Sequence, residues 1–330
     1  MKFGPVALAE AEGAILAHET GTGTGRIGKG TVLTAAHVAD LRALGIREVV
    51  VARLERGDLH EDAAAARIAA ALSGTGLAAD RAATGRVNLR AAAAGIVEVD
   101  AAAVEAVNRV DPAITVATVP QWGRLAARGL AVTVKIIPFA AAEADVARAC
   151  ALGAGAVRLR EAEIGSASLI ETRVSQEVPS DKGRRAVAER LERFAVTLAP
   201  RCVVAHRVGE IAAAIAAAQG DLILILTGSA TSDAEDVAPA AVRAAGGEVV
   251  HYGMPVDPGN LLFLGRIEGR TGTRVVIGLP GCARSPALNG ADWVIERVIC
   301  GVPLERIDIP GMGVGGLLKE IPSRPRPREG

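Results

Sequence analysis

The sequence predicts an α/β protein, with a C-terminal parallel-sheet domain in three layers preceded by smaller α+β modules. Three observations carry that expectation. From Leu169 onward, strand-like runs alternate regularly with helical segments, the pattern that builds a parallel sheet covered by helices on both faces. Inside it, Asp221-Leu-Ile-Leu-Ile-Leu-Thr227 is apolar without alternation, as a central strand buried on both faces requires. The chain has 330 residues, more than one core usually serves, and aromatics are only 2%, so several cores of Ala, Val, Leu and Ile are expected. The expected divisions are a small α+β module at 1–60, a mixed α/β linker module at 61–165, an α/β domain at 166–310 and a loose tail at 311–330.

In chain order, residues 6–18 read as a helical entry with Val6, Leu8, Ile15 and Leu16 as its apolar set. A Gly-rich stretch, 21–30, then leads to a helix from about Thr34 to Leu44, stopped by Gly45. The β-branched run at 47–54 reads as a strand, and Gly57 to Asp62 as the acidic start of an Ala-rich helix reaching Leu72. Strands are expected near 87–99, 114–119 and 132–137, with a short helix at 100–107. In the C-terminal domain the expected strands are 168–172, 202–206, 221–227, 248–252 and 274–279. Between and after them come a helix capped by Asp181, helices at 210–219 and up to Ala245, and a closing helix at 291–299.

Composition excludes several function classes. Lys plus Arg equal Asp plus Glu at 37 each, and no basic stripe appears, so steering toward nucleic acid or acidic membranes has no basis. Few rings exist on which to stack bases. Cys150, Cys202, Cys282 and Cys300 are far apart with no CxxC pair, which argues against structural zinc and reads as small buried hydrophobes. The five histidines show no metal-binding pairing. The N-terminus lacks an apolar signal core, and the strongest apolar run is too short for a bilayer, so a cytoplasmic protein is expected. Gly23-Thr-Gly-Arg-Ile-Gly28 spells a dinucleotide fingerprint, yet no strand precedes it and no helix starts in it. The overlapping P-loop spelling has Gly30 where Ser or Thr must bind Mg²⁺. Both read as turns.

Chemistry is expected beyond the carboxyl ends of the parallel strands, where three unusual turns fall. Thr227-Gly-Ser-Ala-Thr-Ser-Asp-Ala-Glu-Asp236 offers hydroxyls, backbone N–H groups and a helix start, the ingredients for gripping phosphate. Its carboxylates Asp233, Glu235 and Asp236 are candidate ligands for Mg²⁺. Helix capping by Ser232 or Asp233 is the plainer reading of the same residues. Pro255-Val-Asp-Pro-Gly259 precedes a last hairpin, and Leu279-Pro-Gly-Cys-Ala-Arg-Ser285 ends the final strand.

Together these turns resemble the molybdopterin-binding domain of molybdenum-cofactor biosynthesis proteins. The first resembles that family's TGG-x-S-x-G-x-x-D loop; Asp257-Pro-Gly259 and Leu279-Pro-Gly281 with Ser285 resemble its PG and LPG-x-P-x-S turns. Lys29-Gly-Thr-Val-Leu, Val51 to Asp58 and Lys135-Ile-Ile-Pro-Phe139 look like segments that precede the domain in molybdopterin molybdenumtransferase-like proteins.

The resemblance implies that Thr227, Gly228 and Thr231 contact the terminal phosphate of molybdopterin, with Ser229 and Ser232 in the same loop. Asp236 falls on an essential Asp that assists metal or molybdate handling, beside Asp233. Pro258, Gly259, Pro280, Gly281, Arg284 and Ser285 would wall the pterin. Thr172, Arg173 and Lys182 occupy the loop that holds the substrate's other end. The implied activity is insertion of molybdate into molybdopterin, or its adenylylated form, with Mg²⁺ assisting. The rival is a non-catalytic carrier serving a separate cofactor nucleotidyltransferase or molybdoenzyme. Homo-oligomerisation is expected by fold analogy. Ser229 replaces the second Gly, Asp233 replaces the Gly before the Asp, and Ala283 replaces a Pro. The first two departures favour the carrier; the retained Asp236 favours the enzyme.

Overall fold

The computed structural model describes residues 1–23, 25–269, 272–305 and 308–318. Two compact units divide the chain, one made of 1–93 and 97–159, the other of 94–96 and the residues from Arg160 onward.

In the first unit, residues 6–18 correct the helical expectation. Lys2–Ala7 is a strand, Leu8–Glu10 a single 3₁₀ turn, and Ile15–Leu16 a second strand. Both flank Glu48–Arg53, so a long-range antiparallel pairing overrides the local apolar spacing. Thr20–Thr22 and Gly25–Ile27 pair as a hairpin in the Gly-rich stretch, so a strand does precede Gly23, contrary to expectation, while no helix begins before Ala35. The helix Ala35–Ala43 begins with a reciprocal capping box between Thr34 and His37. The next helix starts later than the acidic run suggests, at Glu61, because Asp58–His60 is a strand paired with Ala140–Ala142. A separate buried cluster joins that helix to strands Arg86–Ala91, Ile114–Thr118 and Leu130–Ile136 and to the helix Glu143–Leu152.

The second unit is built on a seven-stranded sheet. Its elements are β1 (Ser166–Arg173), α1 (Lys182–Glu192), β2 (Thr197–Leu198), β3 (Cys202–Ala205), α2 (Val208–Ala217), β4 (Leu222–Leu226), α3 (Val237–Ala244), β5 (Glu248–Tyr252), β6 (Phe263–Gly269), β7 (Gly272–Leu279) and α4 (Gly290–Ile299). The order is β2-β1-β4-β7-β6-β5, with β3 pairing β1 beyond β2. Strands β1 to β4 and β7 run parallel, and β7-β6-β5 form an antiparallel meander, so the sheet is mixed at one side.

Every residue of β4 is buried, as its unbroken apolar run requires. Ile223 and Ile225 pack with Ile211 and Ile215 of α2 and Ala241 and Val242 of α3 on one face. Leu226 lies against Gly183 of α1 on the other, where a Cβ added at Gly183 would meet its Cδ2 at 2.8 Å. α1 is tied to α4 by the buried pair Arg190–Asp292. The result is a three-layer α/β domain.

Three local expectations change. Asp181 stands at the α1 N-cap, but its side chain caps nothing and lies 3.7 Å from Arg201. The helix that follows Asp181 ends at Glu192, and the apolar Leu198, at helical spacing from Val187 and Leu191, belongs instead to β2. Of the tail expected from 311, residues up to 318 are placed: Pro310–Gly313 is a 3₁₀ turn, Met312 is buried, and Leu317 bridges Asp257. The rest of that tail, 319–330, lies outside the described residues. Cys300 is buried, whereas Cys150, Cys202 and Cys282 are only half-buried. No helix among the described residues is long and apolar enough to cross a membrane.

Candidate functional site

Parallel strands end their chains at one sheet edge, and there the domain opens a cleft of about 590 Å³. Its walls come from the end of β1 and the loop after it, the start of α1, the loop after β4, and the turn after β7. Thr172, Lys182, Gly228, Ser229, Gly281 and Arg284, all anticipated from sequence, line this one cleft, together with Arg173. Val174, Val178 and Pro179 give it an apolar wall, and both valines are exposed.

The loop after β4 is held from below. The Gly228 N–H donates to the Thr172 hydroxyl at 2.7 Å, and a Cβ at Gly228 would sit 2.7 Å from the Thr172 carbonyl oxygen. Only glycine permits that approach. Thr227 is buried, and its hydroxyl donates to the Ser229 carbonyl at 2.6 Å. The Arg284 guanidinium donates to the Thr227 carbonyl, tying the third turn to the first. Among the described residues, the N–H groups of Ser229 and Ala230 make no hydrogen bond, and both residues are exposed on the cleft. Two adjacent open N–H groups flanked by Arg173, Lys182 and Arg284 favour an anion. Ser229 fits without strain: among the described non-glycine residues, only Thr84, Trp122, Arg128 and Ala195 take positive φ.

Other anticipated residues fall elsewhere. Thr231 is buried, and its carbonyl accepts the Tyr252 hydroxyl at 3.0 Å. Asp236, not Ser232 or Asp233, is the N-cap of α3. Its two oxygens accept the N–H groups of Ser232 at 2.9 Å and Val237 at 2.7 Å. Those bonds, the Ser232 one foremost, hold the Asp236 carboxyl below the usual carboxylate range, and the charge of His206 adds to them. Asp233 accepts the Glu235 N–H at 2.8 Å. Both carboxylates thus serve the loop backbone, and among the described residues no group of three acidic, His or Cys side chains converges as a metal would require. This donor set does not fit a pre-formed Mg²⁺ site. Pro258 and Gly259 lie at the same sheet edge but do not line the cleft; the Pro258 carbonyl accepts the Gly290 N–H at 2.8 Å. Pro280 is buried, and the carbonyl of Ser285 accepts from Arg190.

Three supports were not anticipated. Arg190 is 2% exposed, and its guanidinium is fully engaged: with Asp292 at 2.9 Å and with the carbonyls of Ala186, Ala283, Ser285 and Ala287. It thereby shapes the turn carrying Gly281 and Arg284. The buried Glu171 pairs with Arg201 at 2.8 Å and 3.1 Å, and Arg201 also donates to the Pro179 carbonyl, pinning the loop after β1. His206 lies with Nδ1 2.9 Å from the Thr172 hydroxyl.

Residues 167–298 match the model of a family described as a probable molybdopterin binding domain. Residues 5–53 match a domain of unknown function (DUF8806). No curated protein matches the chain. Among solved structures, a molybdenum cofactor biosynthesis protein from Pyrococcus furiosus is 13% identical over 86% of this chain and 59% of its own length, with a TM-score of 0.23. The chain thus spans about three-fifths of that structure's length. The cleft thus lies within the stretch, residues 167–298, that is similar to the probable molybdopterin binding domain.

Proposed function

We propose that the cleft holds the phosphate-bearing end of molybdopterin, and that the protein binds and hands on this cofactor precursor during molybdenum-cofactor assembly. The observation that carries this reading is the convergence of the open Ser229 and Ala230 N–H groups with Arg173, Lys182 and Arg284 on one cleft. The exposed Val174 and Val178 supply an apolar wall against which a pterin ring packs. A separate cofactor nucleotidyltransferase or a molybdoenzyme is the proposed recipient. Titrating the purified protein with molybdopterin, followed by pterin fluorescence, tests the reading. Lys182→Ala is expected to weaken binding about tenfold, the cost of one charge-assisted contact. Absence of affinity in the unaltered protein would refute it.

A second reading, insertion of molybdate into molybdopterin or its adenylylated form, is favoured by one observation: Asp236 is held ionised. Against it, Asp236 caps α3 and does not line the cleft. Any Mg²⁺ would have to arrive with the ligand's phosphate. Molybdate insertion measured with and without Asp236→Ala separates the two. Binding without turnover in either protein leaves the carrier.

A further inference from the structure

We infer that His206 is a positioning residue that couples proton uptake to anion binding, acting through the Thr172 hydroxyl. This rests on the reading of the cleft as an anion site and adds to it how that site is regulated.

The Thr172 hydroxyl sits between three groups: the Gly228 N–H at 2.7 Å, His206 Nδ1 at 2.9 Å, and the cleft that Thr172 helps to line. The Gly228 N–H can only donate, so the hydroxyl oxygen accepts it in every state. The hydroxyl has one hydrogen to place. Thr172 is 1% exposed, and a buried hydroxyl left without an acceptor is costly. With the cleft empty, that acceptor is His206 Nδ1, which places the neutral ring's proton on Nε2. When His206 takes up a proton, Nδ1–H becomes a donor to the same oxygen. The Thr172 hydrogen must then turn away from the ring, and the remaining direction is the cleft. One proton bound at His206 therefore turns one hydroxyl donor toward an anion beside Ser229 and Ala230. By linkage, an anion that accepts this hydrogen draws a proton onto His206.

Several other charged groups surround His206. Of the elements packed on its strand, β1 carries Glu171 and Arg173, and α2 carries Glu210. Glu171 is paired with Arg201, and Arg173 bonds Ser175 and Gln176. Arg207 follows in sequence and is exposed. Asp236, whose charge acts on His206, is held ionised, and burial pushes the Cys202 thiol up. Histidine is the side chain that ordinarily changes charge between about pH 5 and 8.

Sulfate tests the inference, because it carries the same charge throughout that window. Its affinity for the full chain is measured by calorimetry from pH 6 to pH 8.5, in two buffers of different ionisation enthalpy. The expected result is binding tighter by about five- to tenfold at the acid end, the worth of one added donor, with net proton uptake. His206→Asn keeps a hydrogen-bonding atom near the Nδ1 position but cannot titrate, so its profile should be flat. Thr172→Val should also flatten the profile, and Thr172→Ser should restore it. A slope that survives in His206→Asn overturns the inference while leaving the anion site intact. A slope lost in His206→Asn but kept in Thr172→Val reduces His206 to a nearby charge and overturns the hydroxyl relay. No sulfate binding at any pH overturns the anion reading of the cleft, and this inference with it.

Discussion

Asp236 joins sequence, local structure and electrostatics in one residue. As N-cap it accepts two backbone N–H groups at the start of α3, bonds that also close the loop between Ser232 and the helix. Loss of such a cap costs about 0.5–2 kcal/mol, so Asp236→Ala should destabilise the domain by about 1 kcal/mol at pH 7. The folded-state pKa lies below the ordinary carboxylate value, so this contribution is fully present above the unfolded pKa, about 3.9. It is lost as pH falls through the folded value. Denaturant midpoints for the two proteins should therefore differ at pH 7 and converge in acid below about pH 4. A gap that stays constant across that range would show that the carboxylate's charge adds nothing to the cap.

At the scale of elements, the turn after β7 is shaped less by its own residues than by Arg190 on α1. Arg190 and Asp292 are both nearly fully buried, at 2% and 1% exposure, and the guanidinium also takes four carbonyls. Removing Arg190 leaves the buried Asp292 carboxylate with Arg193, 3.6 Å away, as its remaining ion-pair partner, a loss of up to about 3–5 kcal/mol. Arg190→Met should lower stability by that order in urea unfolding and weaken anion binding, since Ala283, Ser285 and Ala287 lose their common anchor. The double variant Arg190→Met, Asp292→Leu should recover much of the stability but not the binding. Recovery of both would reduce the pair to packing alone.

What the sequence revealed also divides at this scale. The β4 run and the strand–helix alternation are local signals, and both were legible. The helix Glu143–Leu152 was not, because its Ala-rich stretch shows little apolar contrast, with Val146 and Ala149 its buried residues. Residues 6–18 misled because their strand pairing is set by Glu48–Arg53, some forty residues away. Arg190 and His206 stayed hidden for the same reason: their partners Asp292 and Thr172 lie 102 and 34 residues distant. Of the anticipated site residues, Thr172, Lys182, Gly228, Ser229, Gly281 and Arg284 reached the cleft, whereas Thr227 and Pro280, next to the strand ends, are buried. Pro258 and Gly259 share the edge but follow β5, two strands beyond β7.

For the whole molecule, the balance of charges decides behaviour that no single site does. Equal numbers of acidic and basic residues leave a formal net charge of zero at pH 7, so no long-range repulsion keeps copies apart. Apolar side chains are exposed as well, Val314 at 97%, Leu317 at 73% and Val174 at 68% among them. Attraction between such surfaces is least opposed where net charge vanishes. Solubility should therefore pass through a minimum near pH 7 and rise on both sides: below it the five histidines add positive charge, and above it loss of protons leaves the chain negative. The check is the protein remaining in the supernatant after concentration, measured from pH 5 to pH 9. Replacing exposed Val314 by Glu should raise solubility at pH 7 by adding charge and removing an apolar contact together. If Val314→Ser raises it equally, the apolar surface rather than the missing charge sets the minimum; a flat wild-type profile would show that neither does.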